Sequence, residues 1–185
     1  MKVKKLLSAI LAMAMLLGMM SFPAFAQEAG EAIFSGGTGV QNDPYIIASA
    51  EDLNTLANMV NGGTDYAKIY FKISDGVDSI DLGNTPDIDE GNTGDPFGRA
   101  AENGEWTPIG TKDNPFKGYF DGNDKIIYNL NVNTDKYAGL FGYCSNGGIK
   151  NVRLHDVSIM AQQYAGAIAG CAYTSDITDS SVTGI

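Results

Sequence analysis

Two short patterns recur in the C-terminal half of this 185-residue chain. In the first, an apolar residue is followed by Asn or Asp after two positions and by Val or Leu after five, at residues 127–132, 149–154 and 177–182. In the second, Tyr-Ala-Gly opens an apolar stretch that ends on a cysteine, at residues 137–144 and 164–171. Successive copies are 22 and 28 residues apart in the first pattern and 27 apart in the second. Repetition at this interval indicates a solenoid, in which each unit buries its apolar face only when a neighbour stacks on it.

The chemistry of the repeats predicts which kind of solenoid they form. The repeat region lacks the long pattern of period 3.6 that helical repeats need, and has short alternating runs such as 152–154 between polar corners. Asn129, Asn151 and Asp179 occupy equivalent positions in the first pattern. Asn and Asp tolerate the left-handed backbone angles of tight corners, and stacked Asn side chains can hydrogen-bond along the axis. The sequence therefore predicts an all-β fold, a parallel β-helix with repeat coils over residues 105–185.

Residues 34–74 are predicted to form an N-terminal cap with one helix. Ser49 is placed to cap the start of this helix, with Asp52 three residues on in the position of a capping box. Gly62 stands where a C′ glycine would end the helix. The apolar positions of the helix share one face, and they are Leu53, Leu56, Ala57 and Val60. Because an open β-helix end exposes unpaired strand edges, we expect this helix to cover the N-terminal end of the solenoid.

Residues 75–104 are predicted to be an acidic loop inserted between the cap and the coils. Its acidic residues lie among glycines, asparagines and prolines, and they include Asp75, Asp78, Asp81, Asp87, Asp89, Glu90 and Asp95. The stretch from Asp87 resembles the opening of an EF-hand loop, but Asn92 replaces the required sixth-position Gly and Gly98 the twelfth-position Glu. A solvated acidic loop is favoured, and a weak calcium site is the alternative. No other cofactor and no metal ligand is predicted.

Residues 1–26 have the three parts of a secretory signal peptide. Lys2, Lys4 and Lys5 form a positive region, an apolar run follows, and Ala24-Phe25-Ala26 supplies the small residues of a cleavage site. A transmembrane anchor is the alternative, because the charge-free stretch is long enough to cross a bilayer. Gly18, Pro23 and the lack of basic residues directly after the stretch favour cleavage.

The charge of the exported chain excludes two classes of partner. Residues 1–26 hold three lysines and no acidic residue, so 9 basic and 22 acidic residues remain after cleavage, a formal charge of −13. Without a basic surface, neither nucleic acid nor an anionic membrane is expected as a partner. No segment after residue 26 is long and apolar enough to span a bilayer. We therefore expect a secreted protein in which 27–33 is a short linker and 34–185 forms one β-helix domain.

The chain also contains five longer motifs in sequence order. They are Gly37-Thr-Gly-x-x-x-Asp-Pro-Tyr45-x-Ile, Asp52-Leu-x-x-Leu-Ala57, Trp106-Thr-Pro-Ile-Gly110, Pro115-Phe-x-Gly-x-Phe-Asp-Gly-Asn123 and Gly139-Leu-Phe-Gly-Tyr143. In these motifs, which cover nearly all of residues 34–184, the chain resembles the GLUG-repeat family of bacterial secreted and surface proteins, also seen flanking IgA-peptidase domains. The resemblance implies a right-handed β-helix with an adhesin-like or scaffold role, and it implies no catalytic residues.

The chain departs from that family at two points. An acidic insertion follows Ile73, where related sequences pass directly into a short Asp-Ile-Asp-Leu-like strand. The chain also has very few repeats. Residues 177–184 begin a coil that no later residue completes, so we expect fraying or end-to-end self-association there.

Histidine chemistry has little support in the sequence. His155 is the single histidine, and no His-Glu-x-x-His motif is present. Arg153 and His155 lie two positions apart and so share one face of a strand, opposite Val152 and Leu154. This face is either a small polar binding patch or, as the pattern favours, the solvent face of a strand.

A carbohydrate-active site is the second catalytic hypothesis. Parallel β-helices that act on polysaccharides use carboxylates, calcium and a Lys or Arg base, and Asp121 and Asp124 lie near Lys125. The same stretch also has the form of a turn forced by Gly122, which is favoured. No catalytic residue is therefore assigned, and the protein is not expected to be an enzyme.

The sequence thus predicts an exported, non-catalytic binding or scaffold module of the adhesin-like type. Its expected partner is an extracellular protein or glycan. Five tyrosines are candidates for the binding surface, although several must be core or stacked turn residues: Tyr119, Tyr128, Tyr137, Tyr143 and Tyr164. The alternative function is that of a polysaccharide lyase-like or hydrolase-like β-helix.

The two cysteines are predicted to lie one above the other in adjacent coils. Cys144 and Cys171 each follow the tyrosine of their Tyr-Ala-Gly element by seven residues. Neighbouring strands are about 4.8 Å apart, which lies within the Cα separation of disulfides. Neighbouring free thiols are favoured over a disulfide, because side chains in register on parallel strands point the same way and would strain the bridge.

Overall fold

A computed structural model of the protein describes residues 33–83 and 105–184. The predicted signal peptide at 1–26, residues 27–32 of the linker, and the EF-hand-like stretch that begins at Asp87 lie outside the described residues. Within the described part, one helix and eleven strands follow one another along the chain. They are β1 (Tyr45–Ile47), α1 (Ala50–Asn61), β2 (Tyr70–Ile73), β3 (Ser79–Asp81), β4 (Tyr119–Asp121), β5 (Ile126–Ala138), β6 (Phe141–Ser145), β7 (Gly148–Lys150), β8 (Arg153–Ala165), β9 (Ala169–Tyr173), β10 (Asp176–Thr178) and β11 (Ser181–Thr183).

The strands form three parallel sheets. One sheet has five strands in the order β1-β2-β4-β7-β10, the second has four in the order β3-β5-β8-β11, and the third joins β6 to β9. Three consecutive strands, β4 to β6, thus enter three different sheets, and β7 to β9 repeat the same assignment. Each of these two coils therefore gives one strand to each sheet, which is the arrangement of a parallel β-helix. The predicted fold class is confirmed.

The register between coils corrects the alignment of the first repeat pattern. Phe120 of β4 pairs with Ile149 of β7, which pairs with Ile177 of β10. Ile127 pairs with Leu154 instead. The equivalence of 149–154 with 177–182 was therefore right, whereas 127–132 was aligned with the wrong side of the next coil. Both sides of a coil carry an inward apolar residue two positions before a corner, and the local sequence does not tell them apart.

Residues with left-handed backbone angles lie at the corners of the coils, as was predicted from the asparagines and aspartates in the repeats. Asn151 and Asp179 have φ values of 54° and 50° at one corner. Asn129, with a φ of 57°, has Asp156, at 56°, as its counterpart in the next coil, because the residues on either side of them pair. The hydrogen bonds between corners join Asn to Asp rather than Asn to Asn: Asn129 Nδ2 donates to Asp81 Oδ1 at 2.7 Å and Asn151 Nδ2 to Asp121 Oδ1 at 2.9 Å.

The core runs along the inside of the coils as a column of apolar side chains. Its largest fully buried side chains are four phenylalanines, Phe71, Phe116, Phe120 and Phe141. Ring centroids are 5.9 Å apart between Phe71 and Phe116, 5.0 Å between Phe116 and Phe141, and 5.3 Å between Phe120 and Phe141. Aromatic pairs at these distances stabilise the core beyond the burial of their surface.

Both ends of helix α1 are capped by the predicted segments, with one correction at each. The Ser49 hydroxyl accepts a hydrogen bond from the Asp52 N–H at 3.1 Å, but the Asp52 carboxylate binds the N–H of Ala48 rather than that of Ser49. The left-handed glycine is Gly63, with a φ of 97°, and Gly62 keeps right-handed helical angles. Gly63 N–H bonds to Val60 O and Thr64 N–H to Met59 O, which is a Schellman motif.

Helix α1 covers the N-terminal end of the core. Its predicted apolar face, Leu53, Leu56, Ala57 and Val60, is at most 1% exposed. Asn61 fastens the end of the helix to residues 108–110, which lie beside β6 through a bridge from Ile109 to Phe141. Its Oδ1 accepts from the Gly110 N–H at 2.8 Å, and its Nδ2 donates to Pro108 O at 3.1 Å. The capping role predicted for the helix is therefore present in the fold.

A strand lies inside the segment predicted as an acidic loop. Strand β3 pairs with β5 in parallel, and Ile80 and Leu82 are buried. Ser79–Asp81 and the Leu82 that follows are similar to the Asp-Ile-Asp-Leu-like strand that the resemblance places directly after Ile73, but here five residues lie between. The prediction of a loop over the whole of 75–104 is corrected for these residues, because alternation over only three residues gives a weak periodic signal.

Truncation of a buried leucine of α1 should destabilise the whole solenoid. Leu56 is fully buried, so Leu56→Ala should lower the free energy of unfolding by about 2–5 kcal/mol. Urea denaturation followed by circular dichroism measures this change. Thr55→Ala, at a half-buried position of the same helix, is the control and should change stability by no more than about 0.5 kcal/mol. A loss below about 0.5 kcal/mol for Leu56→Ala would show that the helix is peripheral to the core.

Candidate functional site

A groove crosses the solvent-facing side of the five-stranded sheet. It has a volume of about 700 Å³ and extends from Gln41 and Pro44 near β1 to Asp176 and Thr178 on β10. The side chains at its centre come from β2, β4 and β7, and they belong to Tyr70, Lys72, Tyr119, Asp121 and Lys150, with Gly148 between them. We call this feature the outer groove.

The outer groove presents two rows of residues that run across the strands. Paired residues of neighbouring parallel strands point to the same side of a sheet, and successive residues point to opposite sides. Phe71, Phe120 and Ile149 point into the core, so their neighbours point outward. The tyrosine row is formed by Tyr70, Tyr119, Gly148 and Asp176. The charged row is formed by Lys72, Asp121, Lys150 and Thr178.

The tyrosine row contains a stacked aromatic pair beside a gap. The rings of Tyr70 and Tyr119 are nearly parallel, at 17°, with centroids 4.8 Å apart. Tyr119 remains 39% exposed. The next position of the row is Gly148, where an added Cβ would lie 3.1 Å from Cδ1 of Tyr119. The row therefore ends in an aromatic ring that borders a position without a side chain.

The charged row is held by ion pairs and hydrogen bonds. Lys150 Nζ lies 3.1 Å from Asp121 Oδ2, and Asp121 Oδ1 accepts from Asn151 Nδ2 at 2.9 Å and from the Asn123 N–H at 2.8 Å. Partial burial opposes ionisation of Asp121, but these hydrogen bonds and Lys150 outweigh it and lower the pKa of the carboxyl. Lys72 Nζ pairs with Asp75 at 2.9 Å. Both groove lysines are thus neutralised by a neighbouring carboxylate.

The stretch around Gly122 is a turn, as favoured, although the glycine acts differently from the prediction. Asn123 and Asp124 carry the left-handed angles, with φ values of 53° and 56°, and Lys125 N–H closes the turn on Gly122 O at 2.9 Å. A side chain at Gly122 would collide with the carbonyl oxygen of Asn151 in the next coil. Glycine is needed there for a close approach between coils.

The residues of the hypothetical polysaccharide site are separated by this turn. Asp121 lies in the outer groove and pairs with Lys150 rather than with Lys125. Asp124 pairs with Arg153, with 2.6 Å between its Oδ1 and the guanidinium Nη2. His155, on the same face as Arg153, lies 3.0 Å from the Thr183 hydroxyl through Nδ1. Arg153 and His155 thus contact neighbouring coils on an exposed strand face, as the favoured interpretation has it.

The five candidate tyrosines fall into three places. Tyr119 lies in the outer groove, and Tyr128 packs its ring edge on His155 at 5.3 Å. Tyr137 and Tyr164 stack at a left-handed corner, with an angle of 10° and 5.0 Å between centroids, and Tyr143 packs against Tyr137. The expectation of stacked turn residues is confirmed for this corner pair.

Sequence reasoning missed Tyr70, Lys72, Gly148 and Lys150. A signal for Tyr70 was present, because Tyr-Phe occurs at 70–71 and again at 119–120, one residue pair above the other in the sheet. The two copies are 49 residues apart, since the acidic segment lies between them. This distance exceeds the repeat interval and concealed their equivalence.

The cysteines are one residue out of register, which overturns the predicted pairing. Tyr143 pairs with Cys171, and Cys144 pairs with Ala172. The coil containing Cys171 has one extra residue between Ala165 and Ala169, because Ala138 pairs with Ala165 but Phe141 with Ala169. Neighbouring positions point to opposite sides of a strand, so Cys144 is buried and Cys171 partly exposed. Both are free thiols.

Residues 33–83 and 105–184 contain neither a metal-binding cluster nor a membrane-spanning helix. No group of three or more His, Cys, Asp or Glu side chains in this part is arranged to hold a metal ion. The EF-hand-like stretch from Asp87 to Gly98 is outside the described residues, so the weak calcium site stays a prediction. No helix in the same part is long and apolar enough to cross a membrane.

Comparison with known proteins places the chain among parallel β-solenoids. No family model matches it, so membership of the GLUG-repeat family stays a prediction. A crystal structure of a provisionally assigned immunoglobulin A1 protease from Bacteroides ovatus superposes with a TM-score of 0.53 at 21% identity, covering 83% of this chain and 41% of that one. This likeness shows a shared fold.

Two curated relatives are similar in sequence. A provisionally named Gly-rich membrane protein of Evansella cellulosilytica is 32% identical over 152 residues, which is 79% of this chain and 15% of the relative. Halomucin of Haloquadratum walsbyi is 32% identical over 152 residues, again 79% of this chain but 1% of halomucin. The chain thus spans a small part of the curated relatives it matches.

The two thiols should react at very different rates. Burial raises the pKa of the Cys144 thiol to about 12, so this side chain is both protonated and inaccessible in the folded protein. We expect a thiol reagent such as Ellman's reagent to modify only Cys171 under native conditions and both cysteines in denaturant. The Cys171→Ser variant is the control and should not react until it unfolds. Mass spectrometry that finds the protein two hydrogens lighter before reduction would contradict the register.

The carboxyl of Asp121 should titrate below the ordinary range of aspartates. A pKa lowered by folding contributes stability that is complete above the unfolded-state pKa, near 4, and is lost as the pH falls through the folded-state pKa. Carbon-detected NMR of the side-chain carboxyl measures the midpoint. Asn151→Gly keeps a residue that accepts left-handed angles but removes the amide donor, and should raise the midpoint. An unchanged midpoint would show that the Asn151 hydrogen bond does not hold the carboxylate.

Proposed function

We propose that the protein is an exported, non-catalytic β-solenoid that binds an extracellular ligand in its outer groove, with an adhesin-like or scaffold role at the cell surface. The observation that carries this proposal is the groove itself, in which an exposed aromatic ring and held polar side chains lie on one rigid sheet. Side chains fixed in this way lose little freedom when a ligand binds.

The chemistry of the groove favours binding over cleavage. A general acid in a glycoside hydrolase needs a raised pKa, so that it holds its proton near neutral pH. Asp121 has a lowered pKa and is therefore ionised there. A lysine base must be free to take up a proton, whereas Lys150 is paired with Asp121 at 3.1 Å. The alternative, a carbohydrate-active β-helix, would need these groups rearranged on substrate binding.

A surface location is supported by the relatives and by the sequence. One relative is named a membrane protein and the other halomucin, and the structural neighbour is assigned provisionally as a protease of immunoglobulin A1. The predicted signal peptide at 1–26 and the acidic composition agree with export. The GLUG resemblance, with the adhesin-like role it implies, belongs to the same proposal.

Binding and turnover can be measured on the same surfaces. We would incubate the purified protein with immobilised mucin, collagen and insoluble cellulose, and record both the retained protein and the release of new reducing ends or unsaturated products. The Tyr70→Ala/Tyr119→Ala variant removes the groove stack, and Tyr137→Ala/Tyr164→Ala removes the corner stack as a matched control. We expect retention on at least one surface, lost only in the groove variant, with no product.

Three results would overturn the proposal. Product that accumulates with time would make the protein an enzyme. Retention that is equal in the two variants would place the binding site elsewhere. Absence of retention on all three surfaces would remove the binding role. Thermal melts of both variants show whether they are folded, and Lys150→Ala, which leaves both stacks intact, provides a second groove variant.

A further inference from the structure

The outer groove contains a slot of one side chain's width in the middle of the tyrosine row. Tyr70, Tyr119, Gly148 and Asp176 follow one another on successive strands, and the residue at Gly148 has no side chain. Successive strands are about 4.8 Å apart, so the residues that flank Gly148 are separated by about 9.6 Å along the row. The Tyr119 ring takes up part of this width, because a Cβ at Gly148 would lie 3.1 Å from its Cδ1. The remaining width opens into the groove, beside the exposed part of the Tyr119 ring.

A ligand in this slot must be recognised through side chains. The strand beneath it, β7, pairs with β4 on one side and with β10 on the other, so its backbone groups are already hydrogen-bonded. The Tyr119 ring borders the slot and is 39% exposed. The face of an aromatic ring carries negative charge density, which attracts the weakly positive C–H groups of a flat partner.

We infer that the outer groove binds a neutral glycan, with one pyranose ring stacked in the Gly148 slot beside Tyr119. This inference rests on the proposed binding function and names its ligand class. A pyranose ring has a C–H face for the tyrosine and hydroxyls around its edge. Each hydroxyl both donates and accepts hydrogen bonds, and the row beside the slot supplies an acceptor in Asp121 and a donor in Lys150.

The charges around the slot select a neutral ligand over an acidic one. Lys150 is paired with Asp121 and Lys72 with Asp75, so neither lysine offers an unpaired positive charge. Asp176 adds a carboxylate at the far side of the slot. The whole chain carries a formal charge of −10, which repels polyanions at low ionic strength. A uronic-acid polymer would have to break an ion pair in order to bind.

The length of the groove favours an oligosaccharide over a single sugar. The groove extends from Pro44, beside β1, to Thr178 on β10, which spans five strands and so about 19 Å. The Gly148 slot lies towards one end of this span. Further sugar units would lie over the charged row and Gln41.

The test uses defined probes and a matched pair of variants. The purified protein, with carbon-13 in its tyrosine rings, is titrated by NMR with cellohexaose, mannohexaose and xylohexaose, and with hexagalacturonate as the acidic probe. At least one neutral hexasaccharide should shift the Tyr119 ring signals and bind about tenfold more tightly than hexagalacturonate at low salt. Tyr119→Ala should weaken that binding about tenfold, as expected for a lost aromatic stack, and Tyr164→Ala, which removes the corner stack, should leave it unchanged.

Filling the slot gives a second, independent variant. Gly148→Val fills the slot with a branched side chain whose Cβ would lie 3.1 Å from Cδ1 of Tyr119, so the ring must shift to admit it. This variant should also abolish the Tyr119 shifts, and a thermal melt shows whether it is folded. The inference is overturned if no neutral hexasaccharide shifts Tyr119 at millimolar concentration, if Gly148→Val binds as the wild type does, or if hexagalacturonate binds best. Retention on collagen through the groove, without any response to the neutral sugars, would overturn the glycan ligand and leave the proposed binding function intact.

Discussion

The in-register stacking of parallel coils is the constraint on which the rest of the structure depends. Strands β5 and β8 pair over nearly their whole length, from Ile126 with Arg153 to Ala138 with Ala165. Because each strand obtains its hydrogen bonds and its burial from the coils beside it, a single coil has little stability of its own. The first coil therefore needs a different neighbour. Helix α1 provides it by burying its apolar face and by fastening Asn61 to the segment at Gly110, beside β6.

The sequence showed which residues form corners, but it did not show which corner of the coil each of them forms. Asn129 and Asn151 each follow an inward isoleucine by two residues, and both adopt left-handed angles. They nevertheless belong to different corners, since Ile127 pairs with Leu154 and Ile149 with Phe120. Left-handed angles favour Asn and Asp at any corner, so local preference identifies a corner without saying which one it is. Only pairing between coils separates the true interval of about 28 residues from the apparent one of 22.

Only those residues of the candidate site that lie together on one strand could be predicted from the sequence. Tyr119 and Asp121 lie on one strand and were both singled out, the first as a binding residue and the second as part of a turn or a catalytic pair. Their neighbours Tyr70 and Lys150 come from other coils, and one of them lies across the acidic segment. A single inserted residue was enough to displace Cys171 from Cys144 and turn it to the opposite face. Register errors of this size leave the fold class unaffected but change every side chain that a surface presents.

Separation of inward from outward positions explains how such a fold acquires a binding surface. The inward residues of the five-stranded sheet, such as Phe71, Phe120 and Ile149, supply burial and are nearly inaccessible. The outward residues between them contribute less to stability, so they are free to differ from coil to coil. At one row position this freedom gives Tyr, Tyr, Gly and Asp in succession, and at the other Lys, Asp, Lys and Thr. A regular core thus carries an irregular surface, and the irregularity at Gly148 is what gives the groove its shape.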